Sequence, residues 1–120
     1  MTIITQNYEL QNRDNYSIIT FAGELDAHIV ETLGPAMQAQ LDDTCRHLVV
    51  DLGQVGFIDS HGVGLFVKLL KRVHRRHGQF IIAGAEGQPA AVLRMVGLNK
   101  DLVTYCIDKE SAIALLATAD

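Results

Sequence analysis

Residues 48–83 read LVVDLGQVGFIDSHGVGLFVKLLKRVHRRHGQFIIA, and this stretch decides the fold class. It opens on a short apolar run, Leu48-Val49-Val50-Asp51-Leu52, of the kind that fills a buried strand. Gly53 to Ser60 reads as a loop that carries Val55, Phe57 and Ile58 inward. From about His61 to His77 the apolar positions Leu65, Phe66, Leu69, Leu70 and Val73 recur at helical spacing and form one stripe. Gly78 is placed to stop that helix as a left-handed C′ residue. Gln79-Phe80-Ile81-Ile82-Ala83 is then a second buried strand. Strand, helix and strand in this order predict parallel neighbours joined by a crossover.

The flanks extend the same pattern. Upstream, Thr2 to Leu10 reads as a strand, Gln11 to Asn15 as a polar turn and Tyr16 to Ala22 as a second strand, together a hairpin. Gly23-Glu24-Leu25-Asp26 closes it, with Asp26 placed to cap the helix that follows. That helix shows Ile29, Leu33, Met37 and Leu41 on one face. Gly34-Pro35 predicts a kink or a restart within it. Downstream, Pro89 to Val96 is a short helix followed by Gly97, Val103 to Ile107 a last strand, and Ser111 to Ala117 a last helix. The expected architecture is one α/β domain over residues 1–120. Its sheet is mixed and mostly parallel, of about five strands, with an antiparallel N-terminal edge strand and helices largely on one face.

Composition bounds the function. The chain has 120 residues, 48% apolar and 20% charged, which supports one packed core and excludes disorder as its main state. A net charge of -4 does not steer the whole protein onto nucleic acid. No apolar run is long enough to span a membrane. The start, Met1 to Gln6, lacks the basic start and small-residue cleavage site of a secretory signal, so the expected location is the cytoplasm. Cys45 and Cys106 form no C-x-x-C pair and read as small core residues.

The densest group of unusual residues is Phe57-Ile58-Asp59-Ser60-His61-Gly62-Val63-Gly64, between a strand end and a helix N-terminus. A hydroxyl there would face free backbone N–H groups and the positive end of a helix dipole, where an anion is tolerated. Two compatible readings follow. Asp59 or Ser60 caps the helix, with Gly62 and Gly64 allowing close packing. Alternatively, Ser60 accepts a phosphoryl group whose charge acts on a partner through repulsion and desolvation.

Other chemistry is weaker. His61 is adjacent to Ser60 and so poorly placed as its base, and Ile58 breaks the G-x-S-x-G pattern of a nucleophile elbow. Asp51 at a strand end resembles a phospho-accepting aspartate but lacks the accompanying acids, and reads as a polar strand terminator. Lys68, Lys71, Arg72, Arg75 and Arg76, with His74 and His77, read as a solvated helix face first and as a surface for an acidic protein second. His74 and His77 lack a third metal ligand. Gly84-Ala85-Glu86-Gly87 is no phosphate-binding fingerprint, and Glu24 with Asp26 marks no pocket.

Phe21-Ala22-Gly23-Glu24-Leu25-Asp26, Leu48 to Leu52, Phe57 to Gly64 and Val92-Leu93-x-Met95-x-Gly97-Leu98 together resemble a STAS domain over essentially the whole chain. The closest type is the small anti-sigma factor antagonist of bacterial partner-switching systems. The resemblance implies a binding protein and not an enzyme, with no cofactor of its own. The unphosphorylated form binds an anti-sigma factor that is also a serine kinase, and so releases that kinase's target. The kinase phosphorylates the antagonist, which lets go, and a serine phosphatase resets it. The family's accepting serine follows the loop aspartate and falls on Ser60. Asp26, Asp59, Ser60, His61, Gly62 and Gly64 are the expected partner-binding residues. No direct nucleic-acid contact or membrane insertion is expected. His61 stands where many members have a second serine. Some STAS domains act without a phosphorylation cycle, as in transport systems, so a constitutive binding subunit is the alternative.

Overall fold

The computed structural model describes residues 2–117; Met1 and residues 118–120 of the expected domain lie outside them. The elements are β1 (Thr2–Ile4), β2 (Tyr8–Asn12), β3 (Tyr16–Leu25), α1 (Ala27–Gln40), β4 (His47–Ile58), α2 (Ser60–His74), β5 (Phe80–Ala83), α3 (Gly87–Met95), β6 (Thr104–Cys106) and α4 (Lys109–Ala117). They build one six-stranded sheet in sequential order, β1-β2-β3-β4-β5-β6. β1, β2 and β3 pair antiparallel, whereas β3 to β6 pair parallel. This is the expected fold class, with one strand more at the edge.

The extra strand arises because the expected strand over Thr2 to Leu10 is broken by its own threonine. The Thr5 hydroxyl accepts from the N–H groups of Asn7 and Tyr8, and the Thr5 N–H donates to the Tyr8 carbonyl. A hydroxyl that satisfies nearby backbone donors favours a turn over a continuing ladder.

Alternating side chains send neighbours in each central strand to opposite faces. Ile19, Val50 and Ile82 join the larger core under α1, α2 and α3. Ile18, Val49 and Ile81 pack instead with Ala112 and Leu116 of α4. Three helices therefore share one face and α4 alone covers the other. Burial on both faces explains why these strands read as unbroken apolar runs. The expected stripe on α2 is correct: Leu65, Phe66, Leu69, Leu70 and Val73 are all buried. α1 passes through Gly34-Pro35 as one helix, without the expected restart.

Three local expectations are corrected. First, Gly53 to Ile58 is not a loop. β4 continues to Ile58 because β3 runs alongside it to Leu25, with register shifts between Thr20 and Ala22 and between Gly23 and Glu24. Asp51 is thus inside a strand, not at its end, and its carboxylate accepts from the Gly53 N–H. Val55 and Ile58 do point inward, but Phe57 is exposed. Second, the left-handed residue after α2 is His77, with φ 56°, and not Gly78. The Gly78 N–H bonds to the Val73 carbonyl and the His77 N–H to the His74 carbonyl, the paired bonds of a Schellman ending. Gly78 is needed for space, since a Cβ there would stand 1.9 Å from the Arg46 carbonyl oxygen. Third, Cys45 is buried as expected, while Cys106 is only half-buried.

Candidate functional site

The end of β4 extends well beyond β5, whose last partner on it is Asp51. Ile58 therefore has no strand neighbour on that side. Gln88 of α3 takes the place of one: its Oε1 accepts from the Ile58 N–H at 2.9 Å, and its Nε2 donates to the Ile58 carbonyl at 2.8 Å. On the other side Leu25 pairs with Ile58, and its carbonyl accepts from the Asp59 N–H. The loop that precedes Ser60 is thus held from both sides by backbone-like bonds.

Asp59 is the N-cap of α2. Its Oδ1 accepts from the N–H groups of His61, at 2.8 Å, and Gly62, at 3.3 Å. Its Oδ2 accepts from the Ala27 N–H at 3.1 Å, so the same carboxylate also holds the first residue of α1. Burial raises the Asp59 carboxyl, but the bonds from Gly62, His61 and Ala27 outweigh it and hold it below the ordinary carboxylate range. Asp26 caps α1 separately, accepting from the Ile29 N–H at 3.0 Å. Two capped helix N-termini therefore stand side by side at one end of the sheet.

Ser60 is the first residue of α2 and is exposed. The expected row of free donors beneath it is not there. The His61 and Gly62 N–H groups are taken by the Asp59 side chain, and the Val63 N–H by the Asp59 carbonyl. A charge added to the Ser60 hydroxyl would stand beside the Asp59 carboxylate and face outward. His61 is also exposed, with its Nδ1 3.6 Å from Asp59 Oδ1. Gly62 is buried because there is no room for a side chain: a Cβ would lie 2.8 Å from the Leu25 carbonyl oxygen and 2.9 Å from Ile58 Cγ2. Gly64 is exposed, and a Cβ there would meet nothing within 4 Å.

The structure thus gathers Asp26, Asp59, Ser60, His61 and Gly62 around the paired helix starts, with Gly64 one turn along α2. Beside them lies a groove of about 500 Å³ between α1 and α2, lined by Val30, Gly34, Pro35, Leu65, Gly64 and Ser60 among others. The sequence did not mark Gln88, because a glutamine in a Gly-Gln-Pro turn carries no signal until the unpaired strand end opposite it is known. Phe57 was assigned inward for want of the strand register.

The basic face of α2 is divided. Arg72 donates to the carbonyls of Gln38 and Leu41 and to Asp43, and Arg76 to the Cys45 carbonyl and Asp43. These two arginines tie the far end of α2 to the end of α1 and the segment after it, so they are not a solvated face. Lys68, Lys71 and Arg75 make no ion pair among the described residues. His74 ends α2 while His77 lies beyond it. No group of three or more His, Cys, Asp or Glu among the described residues could hold a metal ion.

Comparison with known proteins gives a consistent result. The family model of the STAS domain matches residues 7–111. The anti-sigma-B factor antagonist of Staphylococcus aureus strain NCTC 8325 is 31% identical over 97 residues, covering 81% of this chain and 89% of that protein. The crystal structure of an anti-sigma factor antagonist from Mycobacterium paratuberculosis superposes with a TM-score of 0.78 at 22% identity, over 92% of this chain and 93% of the other. The antagonist SpoIIAA of Bacillus, in its phosphorylated form, gives a TM-score of 0.70 at 22% identity, over 91% and 98%. At those identities the two structures establish likeness of fold.

Proposed function

The chain belongs to the STAS domain family, and from that premise we propose that it is an anti-sigma factor antagonist switched by phosphorylation at Ser60. In this reading the unphosphorylated protein binds an anti-sigma factor with serine-kinase activity in the cytoplasm and frees that partner's target. The kinase transfers a phosphoryl group to the Ser60 hydroxyl, the complex dissociates, and a serine phosphatase restores the starting form. The protein is the substrate and ligand in this cycle and catalyses no step.

The observation that carries the reading is the setting of Ser60. Its hydroxyl is exposed at a helix start where the N–H groups of the next three residues, His61, Gly62 and Val63, are already bonded to Asp59. A phosphoryl group carries about -1.5 to -2 charges at neutral pH. With those three donors occupied, that charge falls largely on whatever surface docks against Ser60, by repulsion and the cost of desolvating it. Similarity to the Staphylococcus aureus anti-sigma-B factor antagonist supports the class of partner.

Calorimetry against the cognate serine kinase tests this. Ser60→Ala is expected to bind and to resist release on addition of ATP. Ser60→Asp is expected to bind at least about tenfold more weakly, about 1.4 kcal/mol, with an unchanged melting profile. Equal affinity of Ser60→Asp and the unsubstituted protein would overturn the proposal.

A further inference from the structure

The groove beside Ser60 does not end there. A second hollow of about 440 Å³, lined by Gln38, Lys68, Lys71, Arg72, Arg75 and Asp43 among others, shares Gln38 and Lys68 with the first. α1 and α2 lie parallel: Asp59 joins their N-terminal ends, and Arg72 their C-terminal ends. The two hollows therefore adjoin at Gln38 and Lys68 and together follow α2, whose fifteen residues span about 22 Å. Their lining changes along the way. Near Ser60 the floor is Val30, Gly34, Pro35 and Leu65. Two turns further on, the wall is Lys68, Lys71 and Arg75.

Gly64 supplies an independent observation. Glycine within a helix costs about 0.5–1 kcal/mol relative to alanine. For Gly62 an internal reason exists, because the Leu25 carbonyl blocks a Cβ. Gly64 has none: a Cβ would enter open space, and that space is the apolar end of the groove. An unfilled helix position with no neighbour inside the molecule is what close approach by an outside segment requires.

The charges select the occupant. Lys68, Lys71 and Arg75 belong to a chain of net charge -4 and make no ion pair among the described residues, whereas Arg72 and Arg76 are bound to Asp43. The groove contributes Glu31 as the acid on its apolar half. Basic residues with no aromatic stacking platform beside an apolar trough suit an amphipathic acidic peptide better than nucleic acid.

We infer that the two adjoining α1–α2 hollows form a docking groove for an acidic amphipathic segment of a protein partner, seated with apolar side chains over Gly64 and Leu65 and carboxylates against Lys68, Lys71 and Arg75. The inference rests on the proposed function only for whose segment this is: the partner that acts on Ser60.

The test uses a synthetic amphipathic helical peptide, leucine-rich at one end and glutamate-rich at the other, and its lysine counterpart. Amide shifts of the isotope-labelled protein are expected to move along the groove with the acidic peptide alone. Lys71→Glu/Arg75→Glu is expected to weaken binding at least about tenfold and to flatten its salt dependence. Gly64→Leu, whose Cβ enters open space and whose longer side chain would occupy the trough, is expected to abolish the shifts while the protein still melts cooperatively. Shifts elsewhere, unchanged affinity in both variants, or displacement of the peptide from these residues by duplex DNA or phosphatidylglycerol vesicles would each overturn the inference. The peptide carries no kinase, so these results stand apart from the Ser60→Asp measurement, which can fail while the groove stands.

Discussion

Gln88 pairs with Ile58 as a neighbouring strand would, giving one hydrogen bond and accepting another. A single side-chain amide thus completes the sheet where β5 has already ended, and it holds the strand end that carries Asp59 and Ser60.

Replacing Gln88 with alanine should cost about 2 kcal/mol, because both backbone groups of a buried residue lose their partner. Hydrogen exchange at the Ile58 amide should accelerate more than at Val50, deep in the same strand. Equal protection at Ile58 in the variant would show that the amide does not hold this strand end.

Asp59 fastens two helix starts at once. Asp59→Ala should lower the melting midpoint by several degrees, as loss of a helix cap does in a domain of this size. The amides of Ala27 and His61 should both lose protection. An effect confined to α2 would mean that the bond to Ala27 contributes nothing.

Gly62 and Gly64 should respond oppositely to the same substitution. Gly62→Ala forces a Cβ against the Leu25 carbonyl and is expected to destabilise by about 1–3 kcal/mol. Gly64→Ala is expected to be neutral or to stabilise by about 0.5–1 kcal/mol. Urea titration of the two variants distinguishes them, and a destabilised Gly64→Ala would contradict the open space described beside it.

His47 predicts a pH dependence. Its Nδ1 accepts from the Gln79 N–H, so the proton sits on Nε2, which has no partner among the described residues. Burial, and then the neighbouring Arg46, push its pKa below the ordinary histidine value of 6.5. The unfolded chain therefore takes up the proton first. Stability should fall as pH drops below about 6.5, down to the lower folded value. The carboxyls of Asp42, Asp43, Asp59 and Asp108 are held low. Their contribution is present above about pH 4 and is lost below it. Denaturant titrations across pH should show two stages, and His47→Gln should remove the upper one. An unchanged upper stage in that variant would exclude His47 as its source.

Much of this was legible in the residues. The stripe from Leu65 to Val73 placed α2 and its buried side, because helical spacing leaves only one way to hide five large apolar groups. Asp26 was recognisable as a cap and the α2 cap was narrowed to Asp59 or Ser60, since a short polar side chain before a periodic run satisfies donors within three residues; the structure makes it Asp59. Ser60 was singled out by its place in the loop between Asp59 and the α2 stripe.

What the sequence determined by itself was therefore local: the order of elements after the first strand, which faces are apolar, and the motif that ends in Ser60. The tertiary structure decided everything that depends on partners distant in the chain. β4 runs to Ile58 because β3 and Gln88 supply its hydrogen bonds. The His61 and Gly62 donors at the start of α2 are occupied because one Asp59 oxygen reaches them, and its other oxygen reaches Ala27, 32 residues away. Among the described residues, the basic residues of the α2 face divide because Asp43 pairs with Arg72 and Arg76 and not with Lys68, Lys71 or Arg75. The physical reason is common to all three. Periodicity and capping act over one or two turns, whereas a hydrogen bond or an ion pair is settled by which atoms the folded chain brings within about 3 Å.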